Sequence, residues 1–146
     1  MEKVEIVPIG FVERTSPDKY VKDKKLLSKI VLKSGLRTAL EGIEDFSHIF
    51  VVFWLNKISG SEGILRVHPR ARADLPLVGV LATRAPTRPN PIGLTLVELV
   101  KRERNVLWVK GLDAFDGTPV LDIKPFDSWD TVINPRIPKW LEDINK

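Results

Sequence analysis

The residues best suited to chemistry fall in one stretch, Gly79–Gly93, which reads GVLATRAPTRPNPIG. Arg84, Arg88 and Asn90 alternate there with Pro86, Pro89 and Pro91, and Thr83 and Thr87 add hydroxyls. Proline fixes its own φ and pushes the preceding residue toward extended backbone. Ala85, Arg88 and Asn90 each precede a proline, so most of Ala85–Pro91 is stiff before anything binds. Two guanidiniums and an amide therefore sit on a loop that loses little entropy when a ligand docks. Such a loop either receives an anionic or planar ligand, or is a rigid crossover with solvated arginines.

Charge along the chain sharpens the first option. The whole chain carries a formal charge of +4, and residues 66–91 alone account for it, with Arg66, Arg70, Arg72, Arg84 and Arg88 against Asp74. Only arginine is used in this stretch, and its planar fork matches phosphates and stacks on bases as lysine does not. His68 lies inside the basic region and is the better ligand-contact candidate of the two histidines; His48, at the start of an apolar strand, reads as structural. Residues 111–130 carry Asp113, Asp116, Asp122, Asp127 and Asp130 against Lys124, a net charge of −4. Asp116-Gly117 is a tight-turn signal that Asp113 can cap. Alternation puts Leu121 and Ile123 on one face and Asp122 on the other. A basic stretch followed by an acidic one is either an internal pairing or a site with an anionic ligand at one end and a cationic one at the other.

Composition bounds what can surround these residues. A chain of 146 residues with 43% hydrophobic and 29% charged residues reads as one globular domain, 1–146. With no cysteine and two histidines, no metal site is expected. The N-terminus, MEKVEIVPIG, has charges where an export signal needs an apolar run, and Ile49–Leu55 is too short to span a bilayer, so a cytoplasmic location is expected. No glycine-rich phosphate loop and no nucleophile triad is signalled.

The elements that must hold the loops are mostly strands. Val4–Glu13, Lys25–Lys33, Ser47–Leu55, Ile64–His68, Leu77–Thr83, Ile92–Arg102 and Val106–Lys110 read as strands, with Ser47–Leu55 expected to be buried on both faces. A hairpin is expected across Glu103–Asn105, and a second between Leu107–Leu112 and Val120–Phe126 around Asp116-Gly117. Gly35–Ile43 reads as a short helix or turn, Ser16–Lys25 as the most mobile segment, and Pro138–Ile144 as a helix. The predicted class is mainly β: a small closed or partly open β-barrel with short helical additions and a C-terminal helix.

Three strings, GVLATRAPTRPNPIGLTLVEL, GLDAFDGTPVLDIKPF and FSHIFVVFW, resemble the TrmO/TsaA family in order and over nearly the whole chain. The resemblance implies a homodimeric β-barrel tRNA methyltransferase that uses S-adenosyl-L-methionine. Its implied product is the N6-methylated form of threonylcarbamoyl-adenosine at position 37, beside the anticodon. Carried over residue by residue, the cofactor pocket would use Asn56, Lys57, Arg84, Leu94, Asp113, Ala114, Phe115 and Asp116. The tRNA anticodon loop would meet His68, Arg70, Arg72, Thr83, Arg88 and Asn90. Asn90, Asp116 and Asp122 are the candidates for orienting the base or accepting its proton. The family usually has Ser where this chain has Ala85, and its Pro-Arg-Gln string has no counterpart in residues 14–25, RTSPDKYVKDKK. A non-catalytic RNA-binding barrel and a methyltransferase with another acceptor are the rival readings. The acidic segment separates a methyltransferase from the RNA-binding barrel, because a pure phosphate binder gains nothing from carboxylates beside its arginines, and Ala85 keeps the other-acceptor reading open.

Overall fold

Alternating apolar side chains drive six strands to close around one core. The computed structural model describes residues 1–57 and 62–146. Its strands are β1 (Gly10–Arg14), β2 (Leu27–Leu32), β3 (His48–Trp54), β4 (Arg66–Val67), β5 (Val78–Gly79), β6 (Ile92–Glu103), β7 (Val106–Lys110) and β8 (Pro119–Pro125), followed by helix α1 (Lys139–Ile144). The order β1-β2-β7-β6-β3-β8 forms a closed barrel with antiparallel neighbours, and β4-β5 form a separate two-stranded ribbon. Each barrel strand therefore has a neighbour on both sides, and none is a terminal edge strand.

The interior is built by every second residue: Val12, Ile30, Ile49, Val51, Val97, Leu107, Val109 and Val120 are completely or almost completely buried. Each such side chain contributes about 1.5–3 kcal/mol on leaving water. Gly93 faces Phe53 so closely that a Cβ there would run into the phenyl ring. A side chain at that position would overfill the barrel mouth just below the proline loop.

Four expectations are corrected. Strand β1 begins at Gly10 rather than Val4, because Pro8 cannot donate to a ladder and Gly10 lies against the Val31 carbonyl. Strand β3 is fully buried on its inner face only; Phe50, Val52 and Trp54, on the outer wall, are half-buried. The expected hairpin around Asp116-Gly117 does not form. Instead β7 pairs with β2 and β6 while β8 pairs with β1 and β3, so residues 111–118 cross the barrel end. A turn signal fixes local backbone, whereas closure decides which strand is the partner. Finally, a bulge at Leu121 sets Val120 opposite Phe53 and Asp122 opposite Val52. Val120 and Ile123, three residues apart, therefore both pack on the core, and strict alternation through Leu121 fails.

The hairpin between β6 and β7 is as expected, turning through Arg104 and Asn105. The connection between β2 and β3 holds two 3-10 turns, Ser34–Leu40 and Ile43–Asp45. The antiparallel order sends three connections to one end of the barrel: β1 to β2 (residues 15–26), β3 to β6 (55–91) and β7 to β8 (111–118). No helix among the described residues is long and apolar enough to cross a membrane.

Candidate functional site at one end of the barrel

The three connections bring the acidic loop, the arginine-rich loop and the polar segment after β1 to the same barrel end. Leu112 and Ala114 point their side chains into the core and plug that end, leaving Asp113, Phe115 and Asp116 exposed between and beyond them. Asp113 Oδ1 accepts from the buried hydroxyl of Thr95, which lies one turn of the pleat inside the barrel on β6. Asp116 Oδ1 accepts the backbone amide of Arg14 at 2.8 Å. One oxygen of each carboxylate is thus committed to holding the loop, and the other has no hydrogen-bond partner among the described residues.

Two residues that sequence reasoning passed over organise this loop. Arg14 is buried beneath it, and its Nη1 donates to the carbonyls of Leu112 and Ala114 at 3.2 and 3.3 Å. Asp18 accepts the Asp116 amide at 2.9 Å through Oδ1 and meets Lys57 Nζ at 3.3 Å through Oδ2. The Asp116 amide, followed by the ammonium of Lys57, holds the Asp18 carboxyl below its ordinary value despite some burial that opposes this. Lys57 also lies 5.3 Å from the centre of the Phe115 ring, a cation–π distance. Strand alternation was the available signal for Arg14, which shares the inward face of Val12. Asp18 carried no signal, since its hydrogen-bond partners are 39 and 98 residues away. The segment expected to be most mobile is tied at this point, with a 3-10 turn over Asp18–Tyr20.

In the arginine-rich loop the prolines act with hydrogen bonds. Thr83 Oγ1 donates to the Val80 carbonyl at 2.8 Å and accepts the Ala85 amide at 3.1 Å. Arg88 turns back on its own loop and donates from Nη1 to the carbonyls of Thr83 and Ala85, at 3.0 and 2.9 Å. Arg88 is half-buried and Arg84 and Asn90 are exposed, so the first shapes the loop and the other two face outward from it.

The remaining sequence candidates divide. Asn56 and Lys57 form the turn just after β3 at the same barrel end, both exposed. His68 is exposed with Nδ1 2.8 Å from the Leu75 carbonyl, and Arg72 forms a forked pair with Asp74. Arg70 is exposed and, with Ala71, has a φ of 55°, a left-handed backbone that costs energy for residues with a Cβ. Leu94 lies on the outer wall, 53% exposed, on the opposite side of β6 from Thr95. Asp122 is also on the outer wall, opposite Val52, and pairs with Lys124 at 3.0 Å; the structure does not bring it to Asp113 and Asp116. His48 is exposed at the far end, 2.7 Å from Ser47 Oγ, and is not part of the core. Among the described residues no group of three or more His, Asp or Glu is placed to hold a metal.

Comparison with known proteins agrees with this architecture. Residues 12–130 match the model of the tRNA-methyltransferase O N-terminal domain. A probable S-adenosyl-L-methionine-binding protein of Methanothermobacter thermautotrophicus is 52% identical over 88 residues, covering 60% of this chain and 61% of that protein. A tRNA (adenine(37)-N6)-methyltransferase of Mus musculus is 37% identical over 129 residues, covering 82% of this chain and 30% of that protein. The crystal structure of TrmO from Pseudomonas aeruginosa superposes with a TM-score of 0.73 at 31% identity, over 92% of this chain and 62% of that one. The chain thus spans less than two thirds of the length of each of these three proteins. Matched over most of its length, the chain belongs to the family of the tRNA-methyltransferase O N-terminal domain.

Proposed function

We propose that this barrel binds S-adenosyl-L-methionine at the acidic loop and methylates N6 of adenosine 37 in tRNA, with threonylcarbamoyl-adenosine as the modified base. The observation that carries the reading is the shared barrel end: the acidic loop 111–118 and the connection that holds the arginine-rich loop 79–91 both leave the barrel there. A cationic methyl donor and an anionic acceptor need such opposite halves within one site. The loop residues fit the donor. Asp113 and Asp116 each keep one carboxylate oxygen without a partner among the described residues, and Phe115 offers an exposed ring for a purine. Asn56 and Lys57 follow β3 at the same barrel end, and Arg84 is exposed on the connection that leaves it. The donor, when bound, supplies an electrophilic methyl on a sulfonium.

The chain's own residues then position and deprotonate. Exposed Arg84 and Arg70, and Arg72 paired with Asp74, supply phosphate contacts. His68 holds the loop that carries Arg70 and Arg72 through its bond to Leu75. Thr83 and Arg88 hold the shape of the proline loop, so that Asn90 is presented as a preset hydrogen-bond partner for an extruded adenine. The free oxygen of Asp116 is the better acceptor for the N6 proton, because Asp122 is engaged with Lys124 on the outer wall. Positioning supplies most of the acceleration in a direct displacement of this kind.

A homodimer in the cytoplasm belongs to the same proposal. The outer wall of β6 exposes Ile92, Leu94 and Leu96 by 37%, 53% and 43%, beside half-buried Phe50, Val52 and Trp54 of β3. A continuous apolar wall of this kind marks an interface, and Leu94 would join a cofactor pocket only across it. The test uses labelled S-adenosyl-L-methionine with tRNA that carries or lacks the threonylcarbamoyl group, followed by digestion to nucleosides. Label in N6-methylated threonylcarbamoyl-adenosine supports the proposal. Label only in unmodified adenosine corrects the acceptor, and label in neither, with no cofactor binding by calorimetry, leaves an RNA-binding barrel.

A further inference from the structure

Among the described residues, Arg14 is the charged side chain that the barrel buries, with 1% of it exposed. Its guanidinium reaches Leu112 O and Ala114 O at 3.2 and 3.3 Å, Ser16 Oγ at 3.3 Å and Ser28 Oγ at 3.5 Å. Asp18 Oδ1 stands 4.0 Å from Nε, which has no hydrogen-bond partner. Stability is a poor reason for this arrangement, because an apolar side chain of similar volume in place of a buried charge is often neutral or stabilising.

The two carbonyls that Arg14 takes alternate along the loop, and the chain has no cis peptide. In a trans peptide the N–H points away from the C=O of the same unit. Drawing the carbonyls of Leu112 and Ala114 down onto Arg14 therefore turns the amides of Asp113 and Phe115 away from the core. The next amide, that of Asp116, is already taken by Asp18. We infer that Arg14 is a positioning residue: from beneath the loop it sets the Asp113 and Phe115 amides as fixed donors to ring-nitrogen acceptors of the nucleoside cofactor. Donors held in place before binding add affinity because little is left to order when the ligand arrives. This inference rests on the proposed cofactor role of the loop.

The test measures binding rather than turnover. S-Adenosylhomocysteine is titrated into 15N-labelled wild-type protein and followed by amide shifts and calorimetry. The Asp113 and Phe115 amide protons move downfield on saturation. Arg14→Lys, which keeps the charge but not the fork across two carbonyls, binds about tenfold more weakly, the loss of roughly one hydrogen bond. Arg14→Gln binds more weakly still. In both variants tRNA affinity stays within about twofold and the folded-state spectrum is retained, which a general loss of structure would not give. Unmoved Asp113 and Phe115 amides in the wild type overturn the inference even if neither variant folds. A folded Arg14→Lys with wild-type affinity also overturns it, while leaving the cofactor site in place. A wild-type protein that binds neither S-adenosylhomocysteine nor S-adenosyl-L-methionine overturns the proposed function and this inference together.

Discussion

Asp18 Oδ1 accepts the backbone amide of Asp116 at 2.9 Å, joining the segment after β1 to the acidic loop across 98 residues of chain. The same carboxylate reaches Lys57 at the end of β3, so one side chain ties together all three connections that open at the barrel mouth. Replacing it by alanine leaves the Asp116 amide and the Lys57 ammonium without this partner. Asp18→Ala should cost about 1 kcal/mol, seen as a fall of roughly 2 to 5 °C in Tm, together with weaker cofactor binding. A variant that melts and binds like the wild type would show the tie to be idle.

The pH dependence of that tie follows from the direction of the shift. The Asp18 carboxyl is lowered from its ordinary value of 3.8, mainly by the Asp116 amide. A lowered folded-state value contributes stability that is present above 3.8 and is lost as pH falls through the folded value below it. Melting curves of wild type and Asp18→Ala should therefore differ by a constant amount at neutral pH and converge only below 3.8. Convergence already at pH 5 or 6 would assign the difference to another group.

The two arginines of the proline loop should separate in salt titrations. Arg84 is exposed, whereas Arg88 spends its Nη1 on the loop's own carbonyls. Arg84→Ala should weaken tRNA binding and reduce the slope of log affinity against log salt by about 0.7 to 0.9, one phosphate contact. Arg88→Ala should weaken binding with a smaller change in slope, because what it loses is loop shape. Equal slope changes for the two variants would put Arg88 on a phosphate as well.

The apolar wall of β6 gives a prediction about assembly. Leu96→Glu places a charge in the middle of the exposed Ile92, Leu94 and Leu96 row without touching the core. Light scattering should then report the 16.5 kDa single chain for the variant and, on the proposed homodimer, twice that mass for the wild type. A variant that stays dimeric would move the interface off this wall.

The architecture was legible because a small barrel needs alternating strands, and alternation is written into each strand separately. Val12, Ile30, Val51, Val97 and Val109 announce inward faces by their neighbours alone. The arginine-rich and acidic loops were legible for a similar reason, since prolines, arginines and aspartates act through local backbone and charge. Leu121 shows where that reasoning stops: alternation sets Asp122 and Ile123 on opposite faces as found, but one extra residue puts Val120 on the core in place of Leu121, and a bulge has no signature in an apolar–polar pattern.

By itself, then, the sequence determined the strands, the stiff arginine loop and the clustering of carboxylates, all properties of residues near one another in the chain. Only the tertiary structure decided that residues 111–118 cross the barrel end instead of closing a hairpin, and that Arg14 and Asp18 hold them there. Those contacts depend on which strands become neighbours when the sheet closes. Closure is a condition on all six strands at once, so no single segment of the chain can express it.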